Sequence, residues 1–122
     1  MSNQRTLFES LLTIEDVKLI DQTGLSHLER HHLRLLAYCL ACFKEMSDHS
    51  DFGDLPSQEV RLKWLLDLPE LQGERDFANL LLEQFHGTGY YLERLANEHE
   101  ITPLELKLEH LINKSLSPEK LS

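Results

Sequence analysis

Leucine dominates the aliphatic residues of this chain: it supplies 27 of 122 residues, whereas valine and isoleucine together supply six. β-Branched side chains pack well on a pleated sheet, while unbranched leucine loses little rotamer freedom in a helix. The imbalance therefore predicts an all-α fold. Since a chain of this length can bury a core of its own, we expect a compact single-domain bundle of five or six helices over residues 1–122, with frayed termini at about 1–5 and 116–122.

One predicted helix is more apolar than the others. Ser26 and Glu29 form a capping-box pattern, in which the two side chains satisfy backbone amides at a helix start. Between Leu33 and Phe43 the helix that follows is apolar nearly all round, which is typical of a helix enclosed by others. We therefore expect one central buried helix, at about residues 26–46.

Turn-forming residues and apolar periodicity divide the rest of the chain. A cluster of aspartate, glycine and proline predicts the main loop at residues 47–56. Gly87 and Gly89 are expected to end one helix, and Thr88 to cap the next. The remaining predicted helices span residues 6–20 with a break at Thr13, 57–68, 74–86, 90–99, and the segment from Thr102 to a polar tail at Ser115.

The sequence also predicts a compartment. Cys39 and Cys42 lie in an apolar run without the spacing of a secreted disulfide framework, which favours a reducing environment. The first residues are polar, so we expect no signal peptide. The longest apolar run, Leu33 to Phe43, is shorter than the roughly 20 residues that a membrane span requires. We therefore expect a cytoplasmic protein that does not enter a membrane.

The formal net charge of the chain is −9. Binding to a phosphate backbone is driven by lysine and arginine residues that displace counterions. The charge therefore argues against a nucleic-acid partner. An acidic surface instead favours association with a basic protein.

Two patterns bear on metal binding. His27 and His31 stand at i and i+4 on the central helix, where two imidazoles can share an ion, and they are the candidate ligands of a metal-dependent enzyme or sensor. Cys39 and Cys42 form a C-x-x-C about four turns into that helix, too far from its start for a stabilised thiolate. We interpret the cysteines as buried structural thiols and His32 as a core histidine. The preferred interpretation assigns no metal and no cofactor.

Residues 95–106, LANEHEITPLEL, resemble part of a helix-turn-helix motif. Ala96, Ile101 and Leu106 stand at the spacing that such motifs use for internal packing. Glu100 occupies the position where the turn usually carries glycine, and the second helix lacks a basic face. The resemblance implies a nucleic-acid-binding regulator, which stands as an alternative function.

No catalytic constellation is visible: the sequence has no nucleophile elbow, phosphate-cradling glycine loop or dinucleotide fingerprint, so no catalytic residue is assigned. The preferred prediction is a small acidic protein that binds another protein, as an adaptor, regulator, inhibitor or assembly factor. Helices this rich in leucine in so short a chain also predict a homodimer that covers an apolar stripe. The candidate interaction residues are Leu106, Trp64, Tyr90 and Tyr91, and Leu106→Lys is expected to leave the fold intact.

Overall fold

Helices make up the regular structure of the computed structural model, which describes residues 12–117. Within this range there are five α-helices and no β-strand, which confirms the all-α prediction. The helices are α1 (Ile14–Asp21), α2 (His27–Met46), α3 (Gln58–Asp67), α4 (Arg75–Glu98) and α5 (Leu108–Leu116), with 3₁₀ turns at Pro69–Leu71 and Pro103–Glu105.

The first two helices begin where the capping patterns predict. Thr13 Oγ1 accepts a hydrogen bond from the Asp16 amide at 3.0 Å, and Ser26 Oγ accepts one from the Glu29 amide at 3.1 Å. In both pairs the acidic side chain accepts in return from the amide of the cap residue, so each box satisfies two otherwise orphaned donors. Residues 6–11 of the first predicted helix lie outside the described part of the chain.

Helix α2 is the central helix, as predicted. It packs against α1, α3, α4 and α5. Its buried residues are Leu33, Leu36, Ala37, Cys39, Leu40, Cys42 and Phe43. Burial raises the pKa of both thiols, Cys39 and Cys42, because a thiolate loses its hydration in this setting. The two cysteines are therefore structural core residues.

His32 is not a core histidine, and that prediction was wrong. Its side chain is exposed on α2, and its ring meets the ring of Tyr91 edge-on, with 6.1 Å between the centroids. His32 shares a face of α2 with the buried Leu36 and Cys39, but it precedes Leu33, where the buried part of the helix begins.

Helix α4 continues through the glycines that were predicted to end it. Gly89 is buried, and a Cβ atom there would lie 3.3 Å from Arg61 Nη2 and 3.5 Å from Phe43 Cζ. Thr88 does not cap a new helix: its hydroxyl donates to the Gln84 carbonyl at 2.9 Å, within the same helix. Glycine at position 89 thus serves close packing between elements, not helix termination.

The segment after α4 departs from the predicted helix. The Glu105 carboxylate accepts hydrogen bonds from Thr102, but the motif closes only a 3₁₀ turn. Leu106 is extended, at φ −62° and ψ 146°, and α5 begins only after Lys107. This extended residue points inward and is fully buried. The expectation that Leu106 lies on the surface and tolerates lysine was therefore wrong.

None of the helices in residues 12–117 combines the length and the apolar character that crossing a bilayer demands.

Candidate protein-binding groove

A surface groove of about 470 Å³ lies beside the C-terminal half of α4. Three segments form it: α4, the end of the loop before α3, and the turn after α4. Its lining residues are Asp54, Tyr90, Glu93, Arg94, Asn97, Ile101, Thr102 and Pro103. We call this feature the Tyr90 groove, because Tyr90 is the predicted interaction residue that it contains.

A buried arginine positions one wall of the groove. Arg61 Nε donates to the Pro56 carbonyl at 2.9 Å, and the guanidinium carbon lies 4.8 Å from the centroid of the Phe43 ring. Burial lowers the pKa of Arg61, while the carboxylate of Glu93 acts in the opposite direction. Arg61 approaches α4 closely because Gly89 has no side chain. The loop end at Pro56 is thereby held beside α4.

The loop and the turn after α4 are hydrogen-bonded to each other. The Gly53 amide donates to Thr102 Oγ1 at 2.9 Å, and the Leu104 amide donates to the Gly53 carbonyl at 3.1 Å. Gly53 has φ 119°, a left-handed conformation that side-chain-bearing residues rarely adopt. These bonds join two segments that are 49 residues apart in sequence and fix the floor of the groove.

Thr102, which accepts the hydrogen bond from Gly53, itself donates to an acidic side chain. Its hydroxyl and its amide both donate to Glu105 Oε2, each at 2.8 Å. These bonds favour the charged carboxylate and lower the pKa of Glu105. An ionised Glu105 therefore orients Thr102 as the acceptor for Gly53.

The same loop presents an aromatic residue that the sequence interpretation did not select. Phe52 is 69% exposed, and Ser50 Oγ donates to its carbonyl at 2.9 Å. Asp48 and His49 before it have φ values of 57° and 61°, so the loop turns tightly. The sequence did contain a signal for Phe52. It is a large apolar residue in an acidic, turn-forming loop, and a loop of this kind can bury little of such a side chain.

Tyr90 is the most prominent side chain of the groove. It is 62% exposed, and the Arg94 guanidinium carbon lies 5.7 Å from its ring centroid, within the range of a cation–π contact. Ile101 and Pro103 add apolar surface, while Asp54 and Glu93 contribute carboxylates. An aromatic anchor beside apolar and acidic groups suits a peptide segment that carries both apolar and basic side chains.

The other predicted interaction residues do not converge on this groove. Trp64 is half-buried, with its ring centroid 6.4 Å from that of Phe85. Tyr91 is half-buried beside His32. Leu106 lies in the core. Of the four candidates, the structure therefore brings Tyr90 alone into the groove.

The candidate metal ligands His27 and His31 are both exposed in the first turns of α2. Among residues 12–117 there is no group of three or more histidine, cysteine, aspartate or glutamate side chains that could hold a metal ion.

The turn that resembles a helix-turn-helix has only part of that geometry. Glu100 adopts φ 58°, the left-handed conformation for which such turns commonly use glycine. Ala96 and Leu106 are buried and Ile101 is half-buried. However, the turn leads into a 3₁₀ turn and extended residues instead of a second helix. The structure therefore lacks the recognition helix that the motif requires at this point.

Comparison with known proteins identifies a family for this chain. The family model described as NDH complex assembly factor CRR9 matches residues 12–121, which include every residue of the Tyr90 groove. No match was found among the curated proteins or among the solved structures. Because the family model covers nearly the whole chain, this protein belongs to the family of the NDH complex assembly factor CRR9.

Proposed function

We propose that this protein acts in the assembly of an NDH complex by holding a protein partner in the Tyr90 groove. The observation that carries the proposal is the family match over residues 12–121. Among the functions predicted from the sequence, that of an assembly factor agrees with this family. The groove supplies what such a factor needs: exposed aromatic surface on a base fixed by hydrogen bonds between the loop and the turn after α4.

The groove favours a basic partner segment. Among the lining residues, Asp54 and Glu93 carry carboxylates and Arg94 carries a guanidinium. Because Glu93 also interacts with the buried Arg61, the negative charge that favours a basic segment comes from Asp54 and from the net charge of −9 of the whole chain. Opposite charges raise the association rate and discriminate against wrong partners. Burial of Tyr90 against apolar partner groups would supply most of the affinity. We therefore propose a segment that combines lysine or arginine with an apolar residue.

Two further parts of the proposal rest on the sequence. The protein acts in the cytoplasm, as Cys39 and Cys42 in a reducing environment suggest. It also forms a homodimer, which would cover apolar surface that one chain leaves exposed. Neither part is needed for the groove to bind its partner.

Complementation tests this proposal directly. In a host that lacks its own copy of the protein, Tyr90→Ala and Asp54→Lys should fail to restore the assembled NDH complex, measured on native gels. Glu70→Lys is the matched control for Asp54→Lys. Glu70 is exposed and lies outside the groove, and its replacement by lysine changes the charge by the same amount. Full restoration by both groove variants, at normal protein levels, would reject the groove as the functional surface.

A further inference from the structure

No contact among the described residues explains why position 87 is a glycine. It lies in the interior of α4 and is exposed, and a Cβ atom added there would meet no atom within 4 Å. Glycine disfavours a helix relative to almost every other residue, because it loses the most backbone entropy. Gly89, in contrast, makes room for Arg61. The use of glycine at position 87 therefore points to close contact with something other than the described residues 12–117.

Gly87 belongs to an uncharged stripe on the surface of α4. The stripe consists of Phe77, Leu80, Gln84, Gly87 and Tyr91. Their alternating spacing of three and four residues places them on one side of the helix, as in the seam of a coiled coil. Phe77 is 46% exposed and Leu80 is 62% exposed, while Tyr91 is half-buried. We call this surface the α4 stripe.

We propose that the α4 stripe binds the α4 stripe of a second copy of this chain, with the two helices antiparallel. The N-terminal half of the stripe is bulky, because it contains Phe77 and Leu80, whereas the C-terminal half has a notch at Gly87. An antiparallel arrangement brings the N-terminal half of each stripe toward the C-terminal half of the other, so that a side chain of one copy can fill the space above Gly87 of the other. With Gln84 opposite Gly87 of the second copy, Leu80 lies opposite Tyr91.

The charges at the ends of the stripe favour this orientation. In the register just described, Arg94 of one copy lies opposite Phe77 and next to Asp76 of the other, which gives two symmetric ion pairs. A parallel, in-register arrangement would instead leave Asp76 of one copy and Arg94 of the other roughly 27 Å apart along the helix axis. It would also bring the two Arg94 side chains together, because Arg94 continues the spacing of the stripe. Asp76 and Arg94 are both exposed. Charge complementarity therefore selects a second copy in antiparallel orientation.

The size of the contact predicts a reversible dimer. Each copy contributes one face of one helix, and interfaces of this kind fall at the low end of the size range, below about 1,200 Å². The inference names the surface of the homodimer in the proposed function and does not depend on the NDH partner. Tyr90 and Asp54 contribute to the groove and not to the α4 stripe, so variants can separate the two proposals.

Sedimentation velocity of the purified full-length chain over a wide concentration range tests the dimer. We expect the wild type to pass from monomer to dimer, and Leu80→Asp to raise the dissociation constant at least roughly tenfold. Gly87→Lys should do the same without loss of helix content, because lysine is a better helix former than glycine and has open space here. Asn79→Asp is the control, since Asn79 is exposed on α4 away from the stripe.

Charge reversal tests the orientation. Asp76→Arg and Arg94→Asp should each weaken the dimer, and the double variant should restore it. Within one chain these residues are roughly 27 Å apart along the helix, so recovery in the double variant requires a second copy. The inference is overturned if the wild type stays monomeric at every concentration, if Leu80→Asp dimerises like Asn79→Asp, or if the double charge reversal gives no recovery. Asp54→Lys should dimerise normally even if it fails in assembly, which keeps this result separate from the proposed function.

Discussion

Gly87 and Gly89 lie two residues apart on α4, one on its outer face and one on its inner face. At the inner position, Arg61, Phe43 and Leu55 all lie within 3.5 Å of where a Cβ would be. At the outer position, apart from the adjacent residues and the backbone of α4 itself, no atom of residues 12–117 lies within 4 Å. The inner face is therefore determined by the protein's own core. The outer face and the groove beside it retain an exposed tyrosine and an uncharged stripe, which we propose are used by partners.

Truncating one apolar residue on each face of α4 should give the largest difference in the free energy of unfolding. Phe85 is 1% exposed, and its ring centroid lies 5.3 Å from that of Phe43. Phe85→Ala should lower the free energy of unfolding by about 3–5 kcal/mol, because it removes buried area and leaves a cavity. Leu80→Ala on the outer face should change it by about 0.5 kcal/mol or less. Urea denaturation measures both, and equal losses would remove the distinction between the faces.

Enlarging the glycines should have opposite effects. Gly89→Leu should cost about 1–3 kcal/mol, because a side chain there overlaps Arg61 and Phe43. Gly87→Ala should instead raise the stability of the monomer by about 0.5–1 kcal/mol through better helix propensity. Thermal unfolding at concentrations low enough to keep the chain monomeric checks the signs. A destabilising Gly87→Ala would show that this position is constrained within one chain after all.

Acid should weaken the turn at the end of α4 selectively. The folded pKa of Glu105 lies below its ordinary value of 4.5, so its contribution to stability is complete above that value and is lost as the pH falls through the folded pKa. Glu105→Gln should therefore be less stable than the wild type near neutral pH. The difference between their thermal midpoints should shrink as the pH drops below 4.5. A difference that does not vary with pH would mean that the charge of Glu105 is not what holds Thr102.

Local signals in the sequence correctly predicted the starts of α1 and α2, although the starts predicted at Thr88 and Thr102 were wrong. Thr13 and Ser26 act through hydrogen bonds to residues three positions away, so their effect can be read from a short window. The central helix was predictable for a similar reason, since a helix enclosed by others must be apolar on nearly every side. Both predictions could be made from a short stretch of sequence.

The errors arose where distant residues decide the outcome. Gly89 continues a helix because Arg61 and Phe43 approach it from other elements, and no local pattern reveals that. Leu106 is buried because the backbone becomes extended before α5, which ends the helical periodicity used to place it on the surface. Tyr90 was predicted from the sequence as an interaction residue. The groove around it was not predicted, because the hydrogen bond between Gly53 and Thr102 joins segments that are 49 residues apart.

The central claim is that the outer surface at the C-terminal half of α4 binds a component of the NDH complex. Site-specific photocross-linking in the native host tests it most directly, with the photoreactive residue placed at Tyr90 and, as a control, at Glu70. The account predicts a cross-link from position 90, and not from position 70, to an NDH subunit at a segment that carries lysine or arginine. An NDH subunit captured equally from both positions, or from position 70 alone, would contradict it.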